Sequence, residues 1–184
     1  MNIFSSINIA DLRISEAVLA LRSNELTQFL LGVTKIGDWY IICALLVILI
    51  IALYVYKKRD LIVPLLVTVA SAEFVVVVLK YLVGRARPGG NISLFVESSS
   101  SFPSGHAALS LAFFGLIIYV VNKLPNKKNI KIIVTILLSL LIILIGFSRI
   151  YLGVHFLSDV LAGFLFGFLC LYATIYFLHK KRQG

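Results

Sequence analysis

The chain has 184 residues, 60% of them hydrophobic and 14% charged, with a mean hydropathy of +1.03 and a formal net charge of +9. A soluble domain of this length has no use for so much apolar surface, so the composition excludes a soluble globular protein and indicates a membrane protein. Cys43 and Cys170 each stand inside an apolar run, which argues for small buried hydrophobes and against a disulfide framework or a cysteine metal site.

Residues 1–38 carry charges of both signs and lack the charged start, apolar middle and small-residue cleavage site of a signal peptide. Within them, 9–33 predict an amphipathic helix: Ile9, Leu12, Val18, Leu26 and Leu30 are interleaved with Asp11, Arg13, Glu16, Arg22 and Glu25. Ser23-Asn24-Glu25 predicts a break into two. So charged a segment is expected to lie on the membrane interface rather than to span.

A helical span needs about 20 apolar residues. Five runs meet that length, at 39–56, 61–83, 104–121, 130–150 and 156–178. Trp39 and Tyr40 are expected to anchor the first at the interface. Glu73, inside the second, would cost about 2.5 to 3.5 kcal/mol in lipid, so it should face the bundle as a structural acid. The fold class expected is an all-α polytopic bundle of five spans plus an N-terminal interfacial helix. It forms one domain over 1–184, with a transmembrane core at 39–178.

Basic residues gather at Lys57, Lys58 and Arg59; at Lys123, Lys127, Lys128 and Lys131; and at Lys180, Lys181 and Arg182. These follow the first, third and fifth runs and so share one side, which the positive-inside rule makes cytoplasmic. The groups are short, separated and juxtamembrane, so topology explains them better than a nucleic-acid partner does.

Three polar clusters fall on the other side. Lys80 to Pro88 ends the second run, Pro103-Ser104-Gly105-His106 opens the third, and Ser148 to Asp159 bridges the fourth and fifth. His155 and Asp159 are four residues apart, so on a helix they share a face and the carboxylate can fix the imidazole tautomer. Ser104 and Gly105 stand at a helix N-terminus, which offers unpaired N–H groups to an anion. If Lys80, Arg87 and Arg149 converge to about 6 Å, each pair repels by roughly 3 kcal/mol at an effective dielectric near 20, which only an anion or strong solvation relieves. Phosphate suits such a cradle, because Arg grips two oxygens and Lys supplies a point charge. Each cluster alone has a plainer reading: cations snorkelling to lipid headgroups, a serine helix cap, a structural histidine. Their joint placement on one side does not.

Lys-x6-Arg-Pro, Pro-Ser-Gly-His and Ser-Arg-x5-His-x3-Asp together resemble the three-part signature of the type-2 phosphatidic acid phosphatase superfamily. The resemblance covers about residues 40 to 178, and Lys80, Arg87, Pro88, Pro103, Ser104, Gly105, His106, Ser148, Arg149, His155 and Asp159 meet every position. It implies a lipid phosphatase in which His155 forms a phosphohistidine, Asp159 orients it and His106 protonates the leaving oxygen. It further implies that Lys80, Arg87, Ser104, Gly105 and Arg149 bind phosphate, with no metal or other cofactor. Arg85 matches no signature position and reads as surface charge. Implied substrates are undecaprenyl diphosphate, phosphatidylglycerol phosphate, phosphatidic acid or a lipid A phosphate, the first two favoured, at a site facing outward from the cell membrane. The rivals are a phosphotransferase sharing the same intermediate and a non-enzymatic anion-binding or transport protein. The transporter would need polar groups along the spans, which beyond Glu73 are nearly bare of them.

Overall fold

The computed structural model describes residues 3–89, 92–95, 97–125 and 127–183; the side chains of Lys181 and Arg182 lie outside what it describes. The described residues form seven α-helices: α1 (Ile3–Leu19), α2 (Asn24–Ile36), α3 (Trp39–Val55), α4 (Ile62–Val83), α5 (Gly105–Lys123), α6 (Lys128–Tyr151) and α7 (Leu157–Gln183). The predicted break lies where expected, with Ser23 capping α2 by accepting from the Leu26 N–H at 3.2 Å. A left-handed Gly84 (φ 59°) closes α4 and leaves Lys80 in its last turn.

Among the described residues, four helices are long and apolar enough to cross a membrane: 59–83 with α4, then α5, α6 and 157–180 of α7. The α2–α3 pair, bent by 51° at its break, passes the same test when taken together and makes five if it is one broken span. Ile48, Val63, Phe74, Ile136, Leu140, Leu165 and Phe168 are exposed on these helices, as lipid-facing residues should be. Cys43 also faces outward, correcting the expectation of a buried hydrophobe; α3 packs only loosely, so little of its surface is covered. Glu73 is half-buried on α4.

At the centre stands α5, packed on α4, α6 and α7. Helices in lipid gain nothing from burying apolar surface against each other, so close approach of small residues matters more. Ala107, Ala108 and Ala112 are fully buried on α5. Opposite them, a Cβ on Gly163 would collide with the Ser104 carbonyl oxygen, and one on Gly167 with that of Ala108. These two glycines therefore let α7 lie directly on the start of α5. That contact carries the third polar cluster onto the second.

Lys58, Lys123 and Leu178 line one cleft, so the basic ends of the runs gather on one side. The N-terminal segment keeps Arg13, Glu16 and Glu25 exposed while α1 lies against α6 and α7, and α2 against α6. Asp11 and Ser15 are buried, and Arg22 donates to the carbonyls of Tyr151 (2.8 and 3.0 Å) and Ile92 (2.5 Å). The turn after α6 admits this approach through Gly153 (φ 73°), where a Cβ would run into the Ile92 carbonyl. Backbone acceptors near the end of α6 thus draw Arg22 inward.

Candidate active site

The predicted residues meet at the end of the bundle opposite the basic loops. Lys80 Nζ and Arg87 Nη2 both donate to the Ser100 carbonyl, the latter at 3.5 Å, so two of the three cations of the first cluster stand together. Arg87 is held further by the Val154 carbonyl (2.8 Å) and by the carbonyl and hydroxyl of Ser99 (2.7 and 3.0 Å). Its Nη1 also lies 3.3 Å from His155 Nε2. Arg149, buried at the end of α6, donates to Thr34 Oγ1 on α2 at 2.9 Å and to Glu97. Glu97 bridges the arginines, its second oxygen lying 2.8 Å from Arg87.

His155 lies in the turn between α6 and α7, 2% exposed. Asp159 sits one helical turn on, its Oδ2 3.6 Å from His155 Nδ1, an ion-pair distance slightly longer than a hydrogen bond. The same Oδ2 accepts from the Phe156 N–H at 2.9 Å, so Asp159 caps α7 as well as facing the imidazole. Burial pushes the His155 imidazole down to about 4; the Asp159 carboxylate pulls upward and is outweighed, while Arg149 and Arg87 add to the depression. At neutral pH the ring is uncharged and Nε2 carries its lone pair beside the Arg87 guanidinium.

Ser104 is the N-cap of α5 by position, yet its hydroxyl makes no capping bond. Its backbone N–H instead donates to the Asp159 carbonyl at 3.0 Å, tying the start of α5 to α7. Among the described residues, Ser104 Oγ, Arg149 Nε and His155 Nδ1 are buried side-chain atoms without a hydrogen-bond partner. Buried polar atoms are normally paired, and where they are not, a functional reason is the first to seek. All three belong to residues the sequence had singled out.

Four contributors have no local sequence signal. Arg85 is not surface charge: its side chain is 18% exposed and sits over the Phe156 ring at 4.3 Å. It donates to Asp159 Oδ1 (2.6 Å), Ser158 Oγ (2.7 Å), Asp11 Oδ2 (2.8 Å) and Asn8 Oδ1 (2.9 Å). Asp11 in turn accepts from the Ser158 N–H and hydroxyl at 3.0 and 2.5 Å. A buried carboxylate needs a partner, and for Asp159 that partner is Arg85, which α1 steadies from the far side. Asp38, in the α2–α3 turn, lies 2.8 Å from His106 Nε2 and accepts from Tyr40 OH at 2.5 Å. Each of the two histidines therefore has its own carboxylate. Glu97 and Thr34 are the other unforeseen residues, both on Arg149.

A family model described as the PAP2 superfamily matches residues 61–183. The chain is 34% identical over 180 residues to phosphatidylglycerophosphatase B of Bacillus subtilis, covering 97% of this chain and 88% of that one. Among solved structures it is similar to a transmembrane PAP2-type phosphatidylglycerolphosphate phosphatase from Bacillus subtilis (TM-score 0.89, 34% identity), over 95% of this chain and 87% of that one. It is also similar to LpxE of Aquifex aeolicus (TM-score 0.71, 30% identity), over 90% of this chain and 94% of that one.

Proposed function

The chain belongs to the PAP2 superfamily, and from that premise we propose that this integral membrane protein hydrolyses a lipid terminal phosphate, phosphatidylglycerol phosphate being the favoured substrate. Undecaprenyl diphosphate is the second candidate. The observation that carries this reading is the pair of unpaired buried atoms Ser104 Oγ and Arg149 Nε, together with His155 Nε2 standing 3.3 Å from Arg87 Nη1. A terminal phosphate has enough acceptor oxygens to meet the first two while His155 attacks its phosphorus.

In the first step His155 Nε2 gives its lone pair to phosphorus, an N–P bond forms, and the P–O bond to the lipid breaks. The Asp159 carboxylate balances the positive charge that the imidazole acquires. His106, bonded to Asp38 through Nε2, gives the leaving oxygen a proton from its other ring nitrogen. In the second step His106 takes a proton from water, the water oxygen bonds to phosphorus, and the N–P electron pair returns to His155. Lys80, Arg87, Arg149, the Ser104 hydroxyl and the Gly105 N–H stabilise the charge on the phosphoryl oxygens in both transition states.

The test is release of inorganic phosphate from a panel of lipid phosphates by the purified chain, with EDTA present. Phosphatidylglycerol phosphate should turn over fastest and chelation should leave the rate unchanged, since fixed cations neutralise the phosphate. Vanadate should inhibit as a five-coordinate mimic of the transition state. Phosphate appearing on an added lipid or sugar acceptor, and not free in solution, would make the protein a phosphotransferase instead. Loss of activity with EDTA, restored by a divalent ion, would overturn the cation cradle.

The whole chain forms one membrane-embedded domain in this proposal. Its basic loops face the cytoplasm and its site faces outward across the cell membrane, where a lipid held by its own tail can present its headgroup. A cysteine introduced at Ser99 should react with an impermeant thiol reagent on intact cells. Labelling only after lysis would reverse the orientation.

A further inference from the structure

The two guanidiniums assigned to the phosphate oxygens already share one carboxylate. Glu97 reaches Arg87 Nη2 with one oxygen, at 2.8 Å, and Arg149 Nη2 with the other. Two oxygens of a bound phosphate would bridge the same pair. The arginine side chains are 11% and 5% exposed, whereas Glu97, on the loop between α4 and α5, keeps 35% of its side chain open to solvent. Burial disfavours its charge, yet Arg149 and Arg87 outweigh that and hold the Glu97 carboxyl below the usual range, so it is an anion at neutral pH. The nearby carboxylates are committed elsewhere: Asp11 and Asp159 to Arg85, Asp38 to His106. Glu97 is also the counter-charge that three converging cations require when no ligand is bound.

We propose that Glu97 is a specificity-determining residue, a resident anion that the incoming phosphate must displace, so that the site accepts doubly charged terminal phosphates and turns away phosphodiester headgroups. This rests on the phosphatase reading above and deepens it. A phosphodiester carries one negative charge, the same as the carboxylate it would replace. Glu97 is moreover tethered and so competes at high effective concentration. Exchange for a diester therefore gains nothing. A terminal phosphate carries about −1.5 to −2 at pH 7 and three acceptor oxygens, so it prevails. An enzyme embedded among phosphodiester lipids needs such a filter, because those headgroups outnumber its substrate and resemble its product.

The experiment compares the full chain with Glu97→Gln, which removes the charge at constant shape, and Glu97→Asp, which retains it. Two readouts are taken in detergent micelles: hydrolysis of a short-chain phosphatidic acid with phosphatidylglycerol as inhibitor, and calorimetric binding of inorganic phosphate. Glu97→Gln should bind inorganic phosphate about tenfold more tightly, because an internal competitor is gone. Its Ki for phosphatidylglycerol should fall by a similar factor, bringing the diester above the threshold at which it occupies the site, because displacing one tethered carboxylate costs every ligand the same, and Glu97→Asp should stay near wild type. Unchanged phosphate affinity and unchanged inhibition in Glu97→Gln would overturn the proposal, as would a loss of phosphate affinity, which would make Glu97 a support for the arginines. If Glu97→Gln does not purify as a monodisperse protein, Glu97→Ser removes the same charge and is read in the same way. If wild type hydrolyses no lipid phosphate, the phosphatase reading fails, and the calorimetric comparison still decides the role of Glu97.

Discussion

Replacing His155 with alanine is expected to lower turnover by about 10⁴-fold or more and to leave no phosphoenzyme, since no other group can make the covalent bond. Replacing His106 should act differently. With an activated substrate, whose leaving group needs little protonation, His106→Ala should still form some phosphohistidine and then hydrolyse it slowly. The structure sharpens this contrast by giving each histidine its own carboxylate, Asp159 for His155 and Asp38 for His106. Rapid quench of both variants, trapping acid-labile and base-stable phosphate, reads the difference. Phosphoenzyme accumulating in His155→Ala and absent from His106→Ala would reverse the roles.

The same residue sets one limb of the pH profile. The folded-state imidazole of His155 is lowered to about 4, so its nucleophilic neutral form dominates above that pH and is lost below it. In kcat/KM the acid limb belonging to His155 should therefore fall near pH 4, after correction for the substrate's own second ionisation near about 6. A limb at the ordinary histidine value would mean that the site is wetter or more anionic than its geometry indicates.

Arg85→Ala should be the most damaging change to the frame around the site. It would leave the buried carboxylates of Asp159 and Asp11, 0% and 4% exposed, without the cation lying between them. Removing one partner from a buried ion pair costs about 3 to 5 kcal/mol, which for a chain of this length is a Tm drop on the order of 10 °C. Activity should fall through kcat more than KM, because a loosened Asp159 no longer balances the phosphorylated His155. Arg85→Lys should restore part of the stability, having the charge without a fork that reaches four acceptors at once. Asp11→Asn should cost less than Arg85→Ala, since Arg85 keeps Asp159. A Tm and kcat for Arg85→Ala close to wild type would show the network to be incidental.

Local spacing and hydropathy carried much of this protein in readable form. Helix existence follows from apolar runs of bilayer length, the break at Ser23 from capping chemistry, and the gathering of Lys58 and Lys123 at one end from the alternation of the chain across the membrane. The pairing of His155 with Asp159 was legible because one helical turn separates them. The shared location of Lys80, Arg87, Ser104 and Arg149 was legible because each ends or begins a run on the same side.

What only the tertiary structure decided is who neutralises whom. Arg85 looked like surface charge because its partners Asp11 and Asp159 lie 74 residues away on either side. Asp38 lies 68 residues before His106, and Glu97 lies 52 before Arg149, with no periodicity linking either pair. The inward turn of Arg22 likewise follows from the backbone acceptors of Tyr151 and Ile92, which Gly153 exposes and Arg22 satisfies. Hydropathy and helical spacing are properties of neighbouring residues, so a single sequence displays them. The pairing of a buried charge is settled by which distant groups the packed helices bring within about 3 Å, as at Gly37, where a Cβ would press on Ile145 and His106 and so keep Asp38 from its histidine.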